Sequence, residues 1–584
     1  MQLSLRLGVL LCAFLAPGAV LVILTSPSNA QVLSETRVET FAQAPNLQGD
    51  PNRERLLPGA PNPEPLAPEV QPSLQPAPTP ESSPTPTTGS IEVKKIEVKG
   101  STIFSSKELN PIIQPFEGRS TTQEELKKAL DAITQLYLNG GYLTSRAVLG
   151  QINDGVVEIR VIEGSLERID IQGTRRVYHE YVRSRVNLGA AKPLSLTKLE
   201  DQLKLLRADP LFANVEASIR AGSREGKSIL RVRVTEANPF NASASVDNYS
   251  PPSVGSERLG ISAAVRNVTG AGDEFAASYY RTAQGGANTY DLSYRVPMNA
   301  MNGTLQLRGV INDNKVIQPP YDALDISGES KMYEVSFRQP LIRTTREEFA
   351  LSLGFTTQSG QTYLGAEPFS FVSFGPDKDG YSRTSVVKFG QDYTKRDVQG
   401  AWGLRSALSF GTGLFDATVN SGSIPDGRFF SWLMRAQRVQ RLNDNNLLIA
   451  QADLQLTPNG LLPSQQFVIG GGQSVRGFRQ NSRAGDNGLR FSLENRITVQ
   501  RDGSGNAMLQ LAPFFDMGYT WNVDDNPNRL QNQTFIAGAG LGVLWKPLPS
   551  VNVRLDYGLP LINLKDRGEN IQDNGFYFSV STGF

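Results

Sequence analysis

The chain offers few residues whose type and spacing support catalysis. His179 is the only histidine and Cys12 the only cysteine among 584 residues. A metal held by several imidazoles or thiolates is therefore excluded. Carboxylates are plentiful, but no spacing marks one as a nucleophile or general base, and a lone histidine is no catalytic constellation. The densest motif is Phe467-Val468-Ile469-Gly470-Gly471-Gly472-Gln473-Ser474-Val475-Arg476-Gly477-Phe478-Arg479. No Gly-Lys-Ser/Thr and no helix follow its glycines, so they do not cradle a phosphate. Gly538, Gly540 and Gly542 miss the dinucleotide spacing; they share one parity of a strand, where they thin a wall. The strong chemical group of the motif is Arg476, because a planar guanidinium suits bidentate pairing with a carboxylate. Polar groups alternate in two later segments: Arg490, Ser492, Glu494 and Arg496, then Asp516 between Phe514 and Gly518. Such residues bind and conduct; no enzyme activity, metal or cofactor is expected of them.

The elements that would hold these residues are strands. From Ala242 to Phe584 no convincing helix is legible. Segments of about ten residues alternate and are separated by Gly, Asn, Asp and Pro clusters, as tilted membrane strands require. Tyr333, Val335 and Phe337 oppose Glu334, Ser336 and Arg338; Val551, Val553, Leu555 and Tyr557 oppose Asn552, Arg554, Asp556 and Gly558. Charges opposite an apolar face point to a wet interior and a lipid-facing exterior. A soluble β-sandwich alternates as well, but this region is large for one. The spacing predicts sixteen antiparallel strands beginning near residues 242, 257, 273, 287, 303, 329, 348, 380, 400, 427, 446, 487, 507, 534, 550 and 574. Thr269–Gly272, Asn299–Asn302 and Arg441–Asn446 read as short turns. Pro319–Gly328, Ser359–Asp379 and Asp416–Gly427 read as long loops on the other side. The last strand carries Phe576, Phe578 and Val580 on one parity and ends at Phe584; it resembles the closing strand that outer-membrane barrels show to their assembly machinery.

The N-terminus predicts export. Arg6 is the only charge in the first thirty residues, an uncharged run covers Leu7–Leu24, and Ser28-Asn29-Ala30 offers a small-x-small cleavage site. The run is too short and too interrupted by Pro17-Gly18 to favour a retained anchor. Residues 1–30 are thus expected to leave, taking Cys12 with them. Acidic and basic residues then balance, which gives no electrostatic case for nucleic acid. Residues 31–90 hold thirteen prolines between Pro45 and Pro86 and read as an extended linker; Gln31–Ala44 is a weak helix candidate.

Residues 91–236 contain one β-α-α-β-β pattern twice. The first round is Ile91–Lys99, Ser105–Pro115, Thr122–Leu138, Tyr142–Leu149 and Val156–Glu163. The second is Leu166–Gln172, Tyr178–Val186, Ser195–Arg207, Asn214–Arg220 and Ser228–Thr235. Glu97-Val98-Lys99-Gly100 echoes Asp170-Ile171-Gln172-Gly173, and Arg160-Val161-Ile162-Glu163-Gly164 echoes Arg233-Val234-Thr235-Glu236. Two small domains follow, 91–164 and 165–236, ahead of a barrel over 237–584.

The tandem units resemble POTRA (polypeptide-transport-associated) domains. Val475-Arg476-Gly477-Phe478 is similar to the signature of the outer-membrane polypeptide-transport superfamily, and Phe514-x-Asp516-x-Gly518 matches that superfamily's wall pattern. Two units, a tether and a sixteen-strand barrel resemble the haemolysin secretion/activation (ShlB/FhaC/HecB) transporters of two-partner secretion. The resemblance implies an outer-membrane protein of a diderm bacterium with its POTRA units in the periplasm. It implies a secreted client polypeptide, contact with outer-membrane lipid, and delivery by the barrel assembly machinery. It implies that the Arg476 loop folds into the lumen against an acidic wall residue, Asp516 first and Glu494 second. It also implies capture of the client by strand addition, with Tyr142–Leu149 and Asn214–Arg220 as candidate edges. An N-terminal plug helix is common in the family; the short Gln31–Ala44 segment is a poor match. The alternative reading is an assembly factor that inserts barrels, which a weak seam between first and last strands would favour. A passive porin would not need the two units.

Overall fold

The computed structural model describes residues 90–584. The signal segment, the Pro-rich linker and the helix candidate Gln31–Ala44 lie outside them. The first unit runs β1 (Ser90–Val93), β2 (Lys95–Lys99), α1 (Ser106–Ile113), β3 (Arg119–Thr122), α2 (Gln123–Asn139), β4 (Arg146–Asn153) and β5 (Val156–Ile162). Its sheet order is β2-β5-β4, with β2 parallel and β4 antiparallel to β5. Helix α2 starts where Thr122 and Glu125 cap one another: the Thr122 amide donates to the Glu125 carboxylate at 2.9 Å, and the Glu125 amide to the Thr122 hydroxyl at 3.3 Å. Its Leu126, Ala129, Ile133 and Tyr137 recur at helical spacing and are buried against the sheet.

Two expectations for this unit need correction. The strand expected over Ile91–Lys99 breaks at Lys94, whose amide turns to the Gly155 carbonyl at 2.7 Å. The freed β1 pairs with β3, a short strand the sequence pattern did not reveal. The strand expected from Tyr142 starts at Arg146. Tyr142 is held back in a turn, its amide on the Tyr137 carbonyl and its ring edge-on to Phe104 and Tyr137.

The second unit runs β6 (Ser165–Gln172), α3 (His179–Asn187), α4 (Leu196–Arg207), β7 (Phe212–Ala221) and β8 (Lys227–Glu236), with sheet order β6-β8-β7. The repeated Gly and Glu signatures have a physical cause. Gly100 and Gly173 sit at φ 86° and 91°, each pressed so close to the crossing strand that a Cβ would stand 2.5 Å from the Val161 oxygen and 2.0 Å from the Val234 oxygen. The glutamate two residues after each of those valines ties down the chain beyond the glycine. Glu163 accepts from the Thr102 amide and hydroxyl, both at 2.6 Å. Glu236 accepts from the amides of Arg175, Arg176 and Val177 at 2.7–2.9 Å.

The two units abut with only Glu163 and Gly164 between β5 and β6. Leu194 and Leu196 of the second unit donate to the Gly164 and Gly141 carbonyls at 2.8 and 2.9 Å. The second unit docks on the barrel turns. The Tyr178 amide donates to the Gly270 carbonyl at 2.9 Å, and buried Arg185 lies over the Tyr181 ring and donates to Asn302 at 3.2 Å.

Sixteen antiparallel strands follow and close into a barrel. The first eight are β9 (Phe240–Asp247), β10 (Arg258–Arg266), β11 (Glu274–Thr282), β12 (Ala287–Pro297), β13 (Thr304–Lys315), β14 (Ile326–Arg343), β15 (Glu347–Leu364) and β16 (Ser382–Arg396). The rest are β17 (Gly400–Thr412), β18 (Phe430–Asn443), β19 (Asn446–Leu456), β20 (Asn487–Arg501), β21 (Ala507–Trp521), β22 (Phe535–Leu548), β23 (Val551–Pro560) and β24 (Phe576–Gly583). Each begins within three residues of the position expected from the sequence. The loop expected over Ser359–Asp379 is shorter, because β15 runs on to Leu364 paired with a β14 that starts at Ile326, whereas the loop expected over Asp416–Gly427 is longer and spans residues 413–429.

Burial in the barrel is inverted. Tyr333 (54%) and Val335 (41%) are exposed on the outer face, while Glu334 between them is 6% exposed. An apolar exterior over a charged interior is what a bilayer demands, and no helix among the described residues is long and apolar enough to cross a membrane. The ring closes where β24 meets β9, from Ser579↔Asp247 to Gly583↔Ser243. This ladder is short, and Asn248 lengthens it: its Nδ2 donates to the Phe576 carbonyl and its Oδ1 accepts from the Phe578 amide, both at 2.9 Å.

Candidate functional site

Between β19 and β20 the chain does not cap the barrel but enters it. A small hairpin, Phe467–Ile469 with Arg483–Gly485, carries the glycine-rich motif inward. Phe467, Ile469, Val475 and Phe478 form an apolar core with Ala407, Leu433 and Ile536. That core lets a polar-lined lumen hold a loop without flooding it, since each side chain of this size contributes about 1.5–3 kcal/mol on burial.

Arg476, 5% exposed, stands at the tip. Its Nε donates to Asp516 Oδ2 at 2.7 Å and its Nη2 to Asp516 Oδ1 at 3.0 Å, a bidentate fork. Its Nη1 donates to Glu494 Oε2 at 2.8 Å and Asp556 Oδ1 at 3.3 Å. The backbone amide of Arg476 adds a bond to Asp516 at 3.2 Å. The guanidinium carbon lies 3.4 Å from the Phe514 ring centroid, a cation–π contact between two buried side chains. Arg554 closes the network on Glu494 Oε2 and Asp556 Oδ2, both at 2.6 Å, and Arg496 reaches Glu494 Oε1 at 2.8 Å. Three arginines thus face three carboxylates. Breaking a buried pair of this kind by removing one member costs about 3–5 kcal/mol, because the other charge stays buried.

The structure brings Arg476 together with Phe514, Asp516 and Glu494, the residues singled out from the sequence. Gly518 lies under Ile469 and Val475, where a Cβ would come within 2.9 and 3.2 Å of their side chains. Gly538 on β22 allows the closest approach: a Cβ there would stand 2.0 Å from the Arg476 carbonyl oxygen. The outward-parity residues of the terminal strand do not join the site. Phe576, Val580 and Phe584 are exposed on the outer face, at 50%, 38% and 78%, with Phe578 half-buried between them. The candidate edges β4 and β7 are the outer strands of their sheets.

Four residues of the socket were not legible as such. Asp556 and Arg554 show in the sequence only as lumen-parity residues of β23. Tyr577, on the inward parity of the last strand, accepts from the Gly477 amide at 2.9 Å and donates to the Phe478 carbonyl at 2.6 Å. Asp573 holds Arg479 in a second fork at 2.9 and 2.6 Å. A carboxylate or a buried tyrosine opposite the Arg476 loop is the only signal, and it needs the register to be read.

A polar-lumened sixteen-strand barrel, two POTRA-type units and an arginine loop socketed inside define an outer-membrane polypeptide transporter. The family model for haemolysin secretion/activation protein ShlB/FhaC/HecB matches residues 226–544, and that for the ShlB-type POTRA domain matches residues 91–164. The chain belongs to the ShlB/FhaC/HecB family of two-partner secretion transporters. Among curated relatives, the outer membrane transporter CdiB of Dickeya dadantii (strain 3937) is 22% identical over 442 residues, 74% of this chain and 76% of that protein. The solved CdiB structure from Escherichia coli aligns over 87% of this chain and 93% of its own, at 22% identity and TM-score 0.66. BamA from Haemophilus ducreyi lacking POTRA domains 1–3 aligns over 85% of this chain and 100% of its own, at 16% identity and TM-score 0.51, a likeness of fold.

Proposed function

We propose that this transporter captures the secretion signal of one large exported client on its periplasmic units and passes it unfolded through a lumen gated by the Arg476 loop. Strand addition to β4 or β7 provides affinity through main-chain hydrogen bonds. The lumen provides paired charges that exchange partners with a passing chain. No nucleotide motif is legible, so folding of the client outside supplies the drive. A haemolysin-like or adhesin-like client fits this reading; outer-membrane lipid around the barrel and the barrel assembly machinery are its further partners. No step is catalytic. The observation that carries the gating role is the bidentate Arg476–Asp516 fork, buried in the lumen and shared with Glu494 and Asp556.

The test is Arg476→Ala in cells that express the cognate client. Secretion should fall at least tenfold while the barrel still inserts, judged by heat-modifiable mobility. Arg476→Lys should rescue poorly, because a point charge cannot make the fork. Normal secretion by the alanine variant removes the loop from the mechanism. The assembly-factor reading draws on the short β24–β9 ladder; it predicts that the protein inserts unrelated barrel precursors into liposomes.

A further inference from the structure

The outward mouth of the barrel carries a second closure, distinct from the Arg476 socket. The loop after β15, the seventh strand, turns at Gly365 and first doubles back on that strand, where Glu367 and Pro368 pair with Leu364 and Tyr363 and the Phe369 amide donates to the Thr362 carbonyl at 3.0 Å. The loop does not stay above its own strands. Phe374 donates its amide to Asn528 Oδ1 at 3.2 Å, and Asn528 Nδ2 donates back to the Phe374 carbonyl at 2.8 Å. Asn528 belongs to the loop after β21, the thirteenth strand, six strands further round a ring of sixteen. The segment therefore crosses the mouth as a chord.

One further contact places it over the lumen loop, and neighbouring loops brace the arrangement. Next to Phe374, Gly375 lies so close to the side chain of Leu462 that a Cβ would come within 3.0 Å of it. Leu462 is fully buried at the root of the lumen loop. The Gly375 carbonyl accepts from Asn420 Nδ2 at 2.7 Å, and the same amide donates to the Pro425 carbonyl at 2.7 Å, so the loop after β17 supports the chord from one side. On the other side, buried Asp486 accepts from the Leu461 amide at 2.9 Å and from Asn526 Nδ2 at 2.8 Å, tying the root of the lumen loop to the Asn528 loop.

The geometry points to a strap, Phe369–Pro376, latched by Asn528 across the exit, which a client must unlatch to leave the barrel. The latch is Asn528, which makes two exposed bonds to backbone beside the one from Asn420, each worth about 0.5–1.5 kcal/mol net. It is weak beside the ion pairs of the socket, as a closure opened from inside by a passing chain needs to be. The strap rests on the proposed passage of the client through this mouth.

The test is a reversible lock. With Cys12 in the segment expected to leave, Phe374→Cys with Asn528→Cys gives the exported chain two cysteines only. Oxidised cells should show the cross-link and lose client secretion at least tenfold, and a membrane-impermeant reductant should restore it. Asn528→Ala, which removes both bonds without a cross-link, should raise the open fraction of the channel in planar bilayers several-fold. Absence of the cross-link, wild-type secretion by the cross-linked protein, or an unchanged open fraction in Asn528→Ala overturns the strap. Wild-type secretion by the locked protein together with loss in Arg476→Ala would reject the strap and leave the proposed transport intact.

Discussion

At the scale of single residues the protein uses carboxylates as anchors for backbone and guanidinium. Glu163 shows the pattern outside the membrane. Burial would raise its pKa, but the Thr102 hydroxyl and amide and the Tyr137 hydroxyl donate to it and hold it below the ordinary value. Burial, with this glutamate nearby, pushes Tyr137 up to about 12. A carboxylate lowered in the folded state contributes stability that is present above its unfolded pKa and lost as pH falls through the folded one. The first unit should therefore loosen on acidification below the unfolded glutamate value of about 4.3. Glu163→Gln should weaken it at neutral pH by about 1–3 kcal/mol, because the amide NH2 meets the donors that the carboxylate satisfied. Hydrogen exchange of β5 and β6 in the intact protein reads both effects. Equal protection in the glutamine variant at pH 7 would deny Glu163 this role.

At the scale of elements, the glycines of β22 decide how near the loop can come. Gly538, Gly540 and Gly542 lie in one column, and Gly538 faces the Arg476 carbonyl. Gly538→Val should lift the loop tip from its socket. The open fraction in bilayers should rise several-fold, and trypsin should cut at Arg476 or Arg479, sites protected in the parent protein. Continued protection would mean the wall moves instead of the loop. The sequence made this column legible, since parity alone separates Gly538 from Ala537 and Ala539. It made the sixteen strands legible for the same reason: Tyr333, Val335 and Phe337 alternate with Glu334, Ser336 and Arg338 whatever surrounds them. Residues joined across the ring stayed hidden. Tyr577 meets Gly477 and Asp573 meets Arg479 over about a hundred residues of chain, and periodicity carries no information about such distances. Short β3 was missed because Arg119–Thr122 pairs only with β1, and four polar residues set no period.

At the scale of the whole molecule, the two periplasmic units and the barrel are joined without slack. Two residues separate β5 from β6, and α3 sits directly on the barrel turns. Removal of 91–164 should leave a barrel that inserts and conducts but secretes no client, measured in the same cells; continued secretion would move client capture elsewhere. The ring itself is uneven. β14 and β15 share a ladder from Ile326↔Leu364 to Arg343↔Glu348, whereas the ladder of β24 with β9 runs from Ser579↔Asp247 to Gly583↔Ser243, with backbone bonds at Phe584–Ala242 and Asn248–Phe578 at its ends. A hoop under outward load carries the same tension in every link, so it parts at the one with fewest bonds to share it. Swelling of the lumen by a bulky cargo would strain this link before any other. Asn248, whose side chain reaches across the gap to the Phe576 carbonyl and the Phe578 amide, is then the rivet on which the hoop's working diameter depends.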